Sequence, residues 1–261
     1  MKKVWQNKLL KGSFAMILLS VTNVAFGEVN AKDFSAKNSP HLPPANVAQF
    51  EDGRDYFSYQ EPIEQAKRND RKIPIQFFFD YDCRVCSSAQ DILQLYSQIR
   101  PNKVALEEHP VATNEAKFSA TIFYTLQRLK VGELSDVLLF ETSEKARYTE
   151  LSTLDKMREW VVSQGISKAE FNKVVHSKEV KEDVSNAIYL TEEYGVFTFP
   201  YVVVGGKYVL TASTLYNDDY GVAVLDFLVN KLSNKKGKNN ENRDCWCYGT
   251  RSGNFIPIND R

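Results

Sequence analysis

Residues 73–86 read Ile73-Pro74-Ile75-Gln76-Phe77-Phe78-Phe79-Asp80-Tyr81-Asp82-Cys83-Arg84-Val85-Cys86. The first seven are almost continuously apolar, the pattern of a strand covered on both faces, and they predict an inner strand of a sheet. After the second cysteine, Ala89, Ile92, Leu93, Tyr96 and Ile99 recur at helical spacing until Pro101. That periodicity predicts an amphipathic helix and its stop. A strand, a Cys-x-x-Cys and a helix therefore follow one another directly.

Thiol-disulfide exchange needs a thiolate, a second thiol near enough to resolve the mixed disulfide, and access for a partner's sulfur. Two intervening residues at a helix start meet these needs. The first sulfur meets unpaired backbone N–H groups and the positive end of the helix dipole, and the second lies one turn on. Cys83 is expected to be the attacking thiol, open to solvent, and Cys86 the resolving one. The rival reading is half of a structural zinc site. Its other half would have to be Cys245 and Cys247, which have one residue between them and sit near the polar C-terminus. The strand before the pair and the helix after it favour redox chemistry, so no metal and no cofactor are expected.

Outward toward the N-terminus, Lys2, Lys3, Lys8 and Lys11 precede the apolar run Phe14–Leu19, and Ala25-Phe26-Gly27 offers small residues for cleavage. Residues 1–27 are read as a secretory signal peptide, because the run is shorter than the roughly 20 residues a spanning helix needs. Taking its four lysines from the 33 basic residues leaves 29 against 33 acidic ones, a net charge of −4. No basic field is left to hold nucleic acid. With 43% hydrophobic and 25% charged residues the chain has the composition of a globular protein,. Residues 28–48, with Pro40, Pro43 and Pro44, are expected to form an extended entry segment,.

Toward the C-terminus, Val104–Glu107 predicts a second strand ending near His109-Pro110, and the pattern then turns helical from about 113 to 194,. Ser167-Lys168-Ala169-Glu170 has the form of a capping box, and Gly195 is placed to end the last helix of this block,. Tyr201–Val204 and Tyr208–Leu210 flank Gly205-Gly206, a hairpin signal because both turn positions can take positive φ,. A final helix is expected from about Tyr220 to Leu232. Residues 234–261 are read as a flexible tail carrying Cys245 and Cys247, possible auxiliary thiols for the first pair,.

Three segments, Phe50–Tyr56, Phe77–Cys86 and Tyr194–Tyr208, resemble in order and content the entry, active-site and cis-proline regions of the DsbA family of periplasmic disulfide oxidoreductases. The resemblance covers about residues 48–233. It implies an α/β, thioredoxin-like fold in two parts, 49–112 and 193–233, with a helical domain inserted at 113–192. It also implies a cis peptide before Pro200, beside the cysteines, with Thr198, Phe199 and Pro200 forming the substrate platform. Three departures stand out. Arg84 and Val85 replace the Pro-His between the cysteines of the family's strong oxidants, which assigns redox tuning to this dipeptide. Asp80 and Asp82 oppose a thiolate at Cys83, so a weaker oxidant is expected. Phe77 occupies the family's buried acidic position and removes a possible proton carrier for Cys86. His109 matches a histidine position of the family and is assigned no role.

The resulting expectation is a monomeric periplasmic enzyme that passes its disulfide to reduced, unfolded exported proteins and is reoxidised by a membrane redox partner. A reductase or isomerase of the same fold is the alternative within the class. A metal-binding chaperone using both cysteine pairs is the alternative outside it, and an oxidase for one client, docked through the tail, is a third possibility.

Overall fold

The computed structural model describes residues 50–65 and 68–244. The expected leader, the entry segment, and Cys245 and Cys247 lie outside these residues. The sheet is built, in chain order, from β1 (Phe57–Ser58), β2 (Ile73–Phe79), β3 (Val104–Pro110), β4 (Tyr201–Val204) and β5 (Tyr208–Thr211). Their spatial order is β1-β5-β4-β2-β3. β2 runs parallel to β3 and antiparallel to β4. All seven residues of β2 are buried, as its nearly continuous apolar sequence predicts, Gln76 being the one polar member,. Pro74 is tolerated inside the sheet because the pairing with β4 starts only at Ile75, and its carbonyl still accepts from the Gly205 N–H at 2.8 Å,.

Successive strand residues point to opposite faces, and the side chains divide accordingly. Ile75, Phe77, Phe79, Val202, Val204 and Leu210 join the main core with Ile92, Leu93, Tyr96, Val224, Leu225 and Leu228. Phe78, Tyr201, Val203 and Val209 form a smaller cluster on the other face, covered by Tyr59, Ile63, Leu190 and Val196. Burying one such Phe contributes about 1.5–3 kcal/mol, so three consecutive ones in β2 anchor both layers.

α1 (Cys86–Ile99) follows β2 directly. Between β3 and β4 lie α2 (Phe118–Arg128), α3 (Leu134–Thr142), α4 (Lys145–Leu151), α5 (Leu154–Ser163), α6 (Lys168–Val175) and α7 (Lys178–Glu193). This is the thioredoxin-like fold with its helical insertion. Local signals set several boundaries. Ser167 caps α6 by accepting from the Glu170 N–H, and Thr153 and Ser177 do the same for α5 and α7,. Gly195 leaves α7 at φ +57, and Gly205 and Gly206 turn the β4–β5 hairpin at +59 and +68,.

Two elements depart from expectation. β1 pairs Phe57 with Val209 and Ser58 with Tyr208, and a strand of two residues is too short for any periodicity to betray it. The last helix, α8 (Asp218–Asp244), continues past Leu232, where the sequence places its end. Its added turns are rich in Lys and Asn and interrupted by Gly237 alone, which costs roughly 1 kcal/mol against Ala without forbidding helix. The entry loop is tied to α8 through Asp55, a buried carboxylate that accepts from Arg54, from the Glu51 N–H at 2.7 Å and from the Tyr220 hydroxyl.

Candidate functional site at the head of the first helix

Cys83 and Cys86 are joined by a disulfide, with their Cα atoms 5.4 Å apart. The loop between β2 and α1 holds them there by short-range bonds. The Asp80 carboxylate accepts from the Asp82 N–H at 2.8 Å, and its carbonyl accepts from the Cys83 N–H at 3.1 Å. Ser119 of the helical insertion accepts from the Tyr81 N–H at 3.3 Å. Burial raises the Asp80 carboxyl above the usual carboxylate range, which weakens one of the two negative charges expected to oppose a thiolate.

One expectation about this pair is corrected. The helix begins at Cys86, as the order of strand, cysteines and helix predicts, but Cys83 is buried at 3% exposure instead of standing open to solvent. The Cys86 N–H points back to the Cys83 carbonyl (3.4 Å), a turn that carries residue 83 over the start of α1 and into the main core. The electrostatic setting survives this change. Val85 occupies the N-cap without a side-chain hydrogen bond, and the first turn of α1 holds no acidic residue. No side chain caps the start of α1, so the positive end of its dipole stays available at the cysteine pair,.

Exposure is concentrated in the rim around the buried pair. Asp82 and Arg84 are exposed, and Val85 is 50% exposed. The Phe199–Pro200 peptide is cis, as the family resemblance implies. Because Phe78 pairs with Tyr201, Pro200 lies beside Phe79, at the sheet end from which the cysteine loop departs. Pro200 is buried, Thr198 is partly buried, and Phe199 and Phe197 are exposed at 38% and 82%. Residues 197–199 belong to no strand, and no protein group among the described residues hydrogen-bonds their backbone.

Sequence reasoning missed an acidic cluster beneath the first turns of α1. Gln90, one turn past Cys86, donates from its single amide nitrogen to Glu108 at 2.8 Å and to Asp136 at 2.9 Å. Gln94 also donates to Asp136. Tyr81 is fully buried beside these groups, with its hydroxyl 2.9 Å from Ser135 Oγ. Burial lifts the Glu108 carboxyl above its ordinary value, and Asp136 adds to the rise. The acid absent at Phe77 thus reappears one strand away. His109 stacks on Phe78 with ring centroids 5.1 Å apart. Its Nε2 lacks a hydrogen-bond partner, and burial lowers its pKa to about 4, so it is neutral at physiological pH.

Among the described residues, no group of three or more His, Cys, Asp or Glu side chains is arranged to hold a metal. A site built on both cysteine pairs would need Cys245 and Cys247, which lie outside them.

No protein-family model matches the chain. It is 67% identical over 227 residues to a protein of Haemophilus influenzae described as an uncharacterized protein, across 87% of this chain and 97% of that one. The thiol:disulfide interchange protein DsbA of Bordetella pertussis is 30% identical over 191 residues, 71% of this chain and 88% of the relative. Among solved structures, DsbA of Pseudomonas aeruginosa superposes with a TM-score of 0.63 at 22% identity, over 72% of this chain and 97% of that one. The oxidoreductase NmDsbA1 of Neisseria meningitidis gives 0.60 at 20%, over 72% and 96%. A closed dithiol at the head of α1, on this fold and at this level of identity, places the chain in the DsbA family of thiol-disulfide oxidoreductases.

Proposed function

We propose that the protein works in the periplasm as an oxidant of exported proteins, with Cys83 and Cys86 as its redox couple. A client thiolate attacks Cys83 Sγ, the Cys83–Cys86 bond breaks, and Cys86 leaves as a thiolate that takes up a proton. The client is then held as a mixed disulfide on Cys83. Its second thiolate attacks its own bonded sulfur and expels Cys83, so the client loses two electrons and the enzyme's pair gains them. A membrane redox partner reoxidises the pair. The enzyme acts as a monomer on reduced or unfolded chains, which lie along Thr198, Phe199 and Pro200, while Arg84 and Val85 tune the couple.

The observation that carries this reading is the disulfide closed at the uncapped start of α1. An open helix N-terminus stabilises the reduced, anionic form, and a stable reduced form is what makes a dithiol pair oxidising. The carboxylates of Asp80 and Asp82 before the pair, and of Glu108 and Asp136 below it, temper that stabilisation and favour an intermediate potential. Equilibration with glutathione tests the direction of transfer. A value toward about −120 mV supports a disulfide donor, and one near about −270 mV overturns that assignment in favour of a reductant.

A further inference from the structure

A second apolar site opens on the sheet face opposite α1 and α8. Phe57, Ser58, Tyr59, Phe197, Tyr201, Val209 and Thr211 line a groove with about 480 Å³ of open space. None of them is charged. Its floor is fixed, because the Tyr59 hydroxyl donates to the Tyr194 carbonyl at 2.6 Å and lies 3.1 Å from the Tyr201 hydroxyl. Those contacts satisfy the phenol groups, so the floor presents no unpaired hydroxyl. The walls are free: Phe57 is 46% exposed and Phe197 82%, the latter touching Tyr201 edge to face at 5.7 Å. Exposed aromatic rings gathered around a fixed floor mark an interaction site more often than chance exposure does.

We propose that this groove holds an apolar side chain of the client polypeptide whose cysteine is being exchanged at Cys83. The inference rests on the oxidoreductase reading and adds a second point of attachment to it. Three observations select an unfolded protein segment as occupant. The groove is continuous with the cis-proline loop, since Phe197 stands three residues before Pro200 on the same open stretch of backbone. Backbone groups of residues 197–199 are free to pair with an extended chain,. Among the described residues β1 is the terminal strand of the sheet, paired with β5 alone, and its outer edge lies beside the groove. A client chain extended along residues 197–200 advances at the same rise of about 3.3 Å per residue, so the side chain beside Phe197 belongs to a client position about three residues from the cysteine beside Pro200,. A groove without a charged group gives no purchase to an anionic or cationic small molecule and selects for aromatic or branched side chains.

Two peptides, each with one cysteine and differing only in Phe or Ser three residues away, test the assignment, together with cysteine-free copies of both. In NMR titrations the cysteine-free Phe peptide is expected to shift the signals of Phe57, Tyr59, Phe197, Tyr201 and Val209. It is expected to bind about tenfold more tightly than the Ser peptide, as burial of one ring predicts. Phe197→Ser and, separately, Phe57→Ser are expected to reduce that preference to within about twofold, with folding checked by circular dichroism. Equal binding of the two peptides, shifts confined to the α1–α8 side, or a preference that survives both substitutions would overturn the proposal. A dimer that depends on Phe197 in sedimentation would also overturn it, by showing that a second copy fills the groove. Groove binding without any exchange at Cys83 by the cysteine peptides would support the groove and overturn the enzymatic reading alone.

Discussion

Phe77 and Glu108 stand opposite each other in the parallel pairing of β2 and β3. The apolar residue completes the core, while the carboxylate is taken up by Gln90 on α1 together with Asp136. An acid on β3 is thereby tied to the helix that carries Cys86, without occupying the strand that leads to it.

Glu108 is expected to lower stability at neutral pH. Its folded value is raised, so the native state holds the proton more tightly, and stability falls as pH rises above the unfolded value of about 4.3,. Glu108→Gln keeps the acceptor for Gln90 and removes the charge. Thermal melts should show a higher Tm than wild type at pH 7.5 and no gain at pH 4,. The same gain at both pH values would refute the electrostatic origin.

His109 should make the protein acid-sensitive in a different window. Its folded pKa of about 4 lies below the unfolded value of about 6.5,. The unfolded chain therefore binds the extra proton first, and stability is lost as pH falls from about 6.5 to 4. His109→Leu is expected to leave urea midpoints at pH 7.5 little changed. At pH 4 it should gain roughly 3 kcal/mol relative to wild type, as a shift of this size implies,. An identical pH profile in both proteins would count against burial of the neutral ring.

The two cysteines are expected to differ. With Cys86→Ser, a client offered in its disulfide form should be trapped on Cys83: the Cys83 thiolate attacks one client sulfur, the other leaves as a thiolate, and the resulting mixed disulfide is visible as an adduct by mass spectrometry. With Cys83→Ser, no adduct should form, and exchange should fall to the rate of free thiols in solution. An adduct on Cys86 in the second variant would reverse the assignment of roles.

Gly206 is constrained twice. It adopts φ +68, and a Cβ there would lie 2.4 Å from the Ile63 carbonyl, which is held in place because the Ile63 N–H donates to the Gly206 carbonyl at 2.8 Å. Gly165, at φ +91 with nothing within 4 Å of a Cβ, carries the conformational cost alone. Gly165→Ala should cost about 1 kcal/mol and Gly206→Ala at least about 2, both read from denaturant unfolding. Equal losses would show that the backbone around Ile63 yields freely.

Features set within a few residues were readable without tertiary information. β2, α1, the Ser167 cap, Gly195 and the Gly205-Gly206 hairpin follow from local periodicity and backbone freedom, and each is found at the expected place. β1 was not legible, because two residues become a strand only when β5 offers its edge. Nor was the continuation of α8, whose polar turns are compatible with both helix and linker.

At the site, the residues themselves named the cysteine pair and its place after an inner strand, because strand, spacing and helix start are chain-local properties, while the cis peptide before Pro200 was implied by the family resemblance. Tertiary structure alone decided that Cys83 is sheltered, that Gln90 joins Glu108 to Asp136, and that Phe57 meets Phe197 and Tyr201 in one groove. The reason is physical: burial and hydrogen-bond partners depend on which distant segments pack together, and periodicity along the chain records only which face a side chain takes.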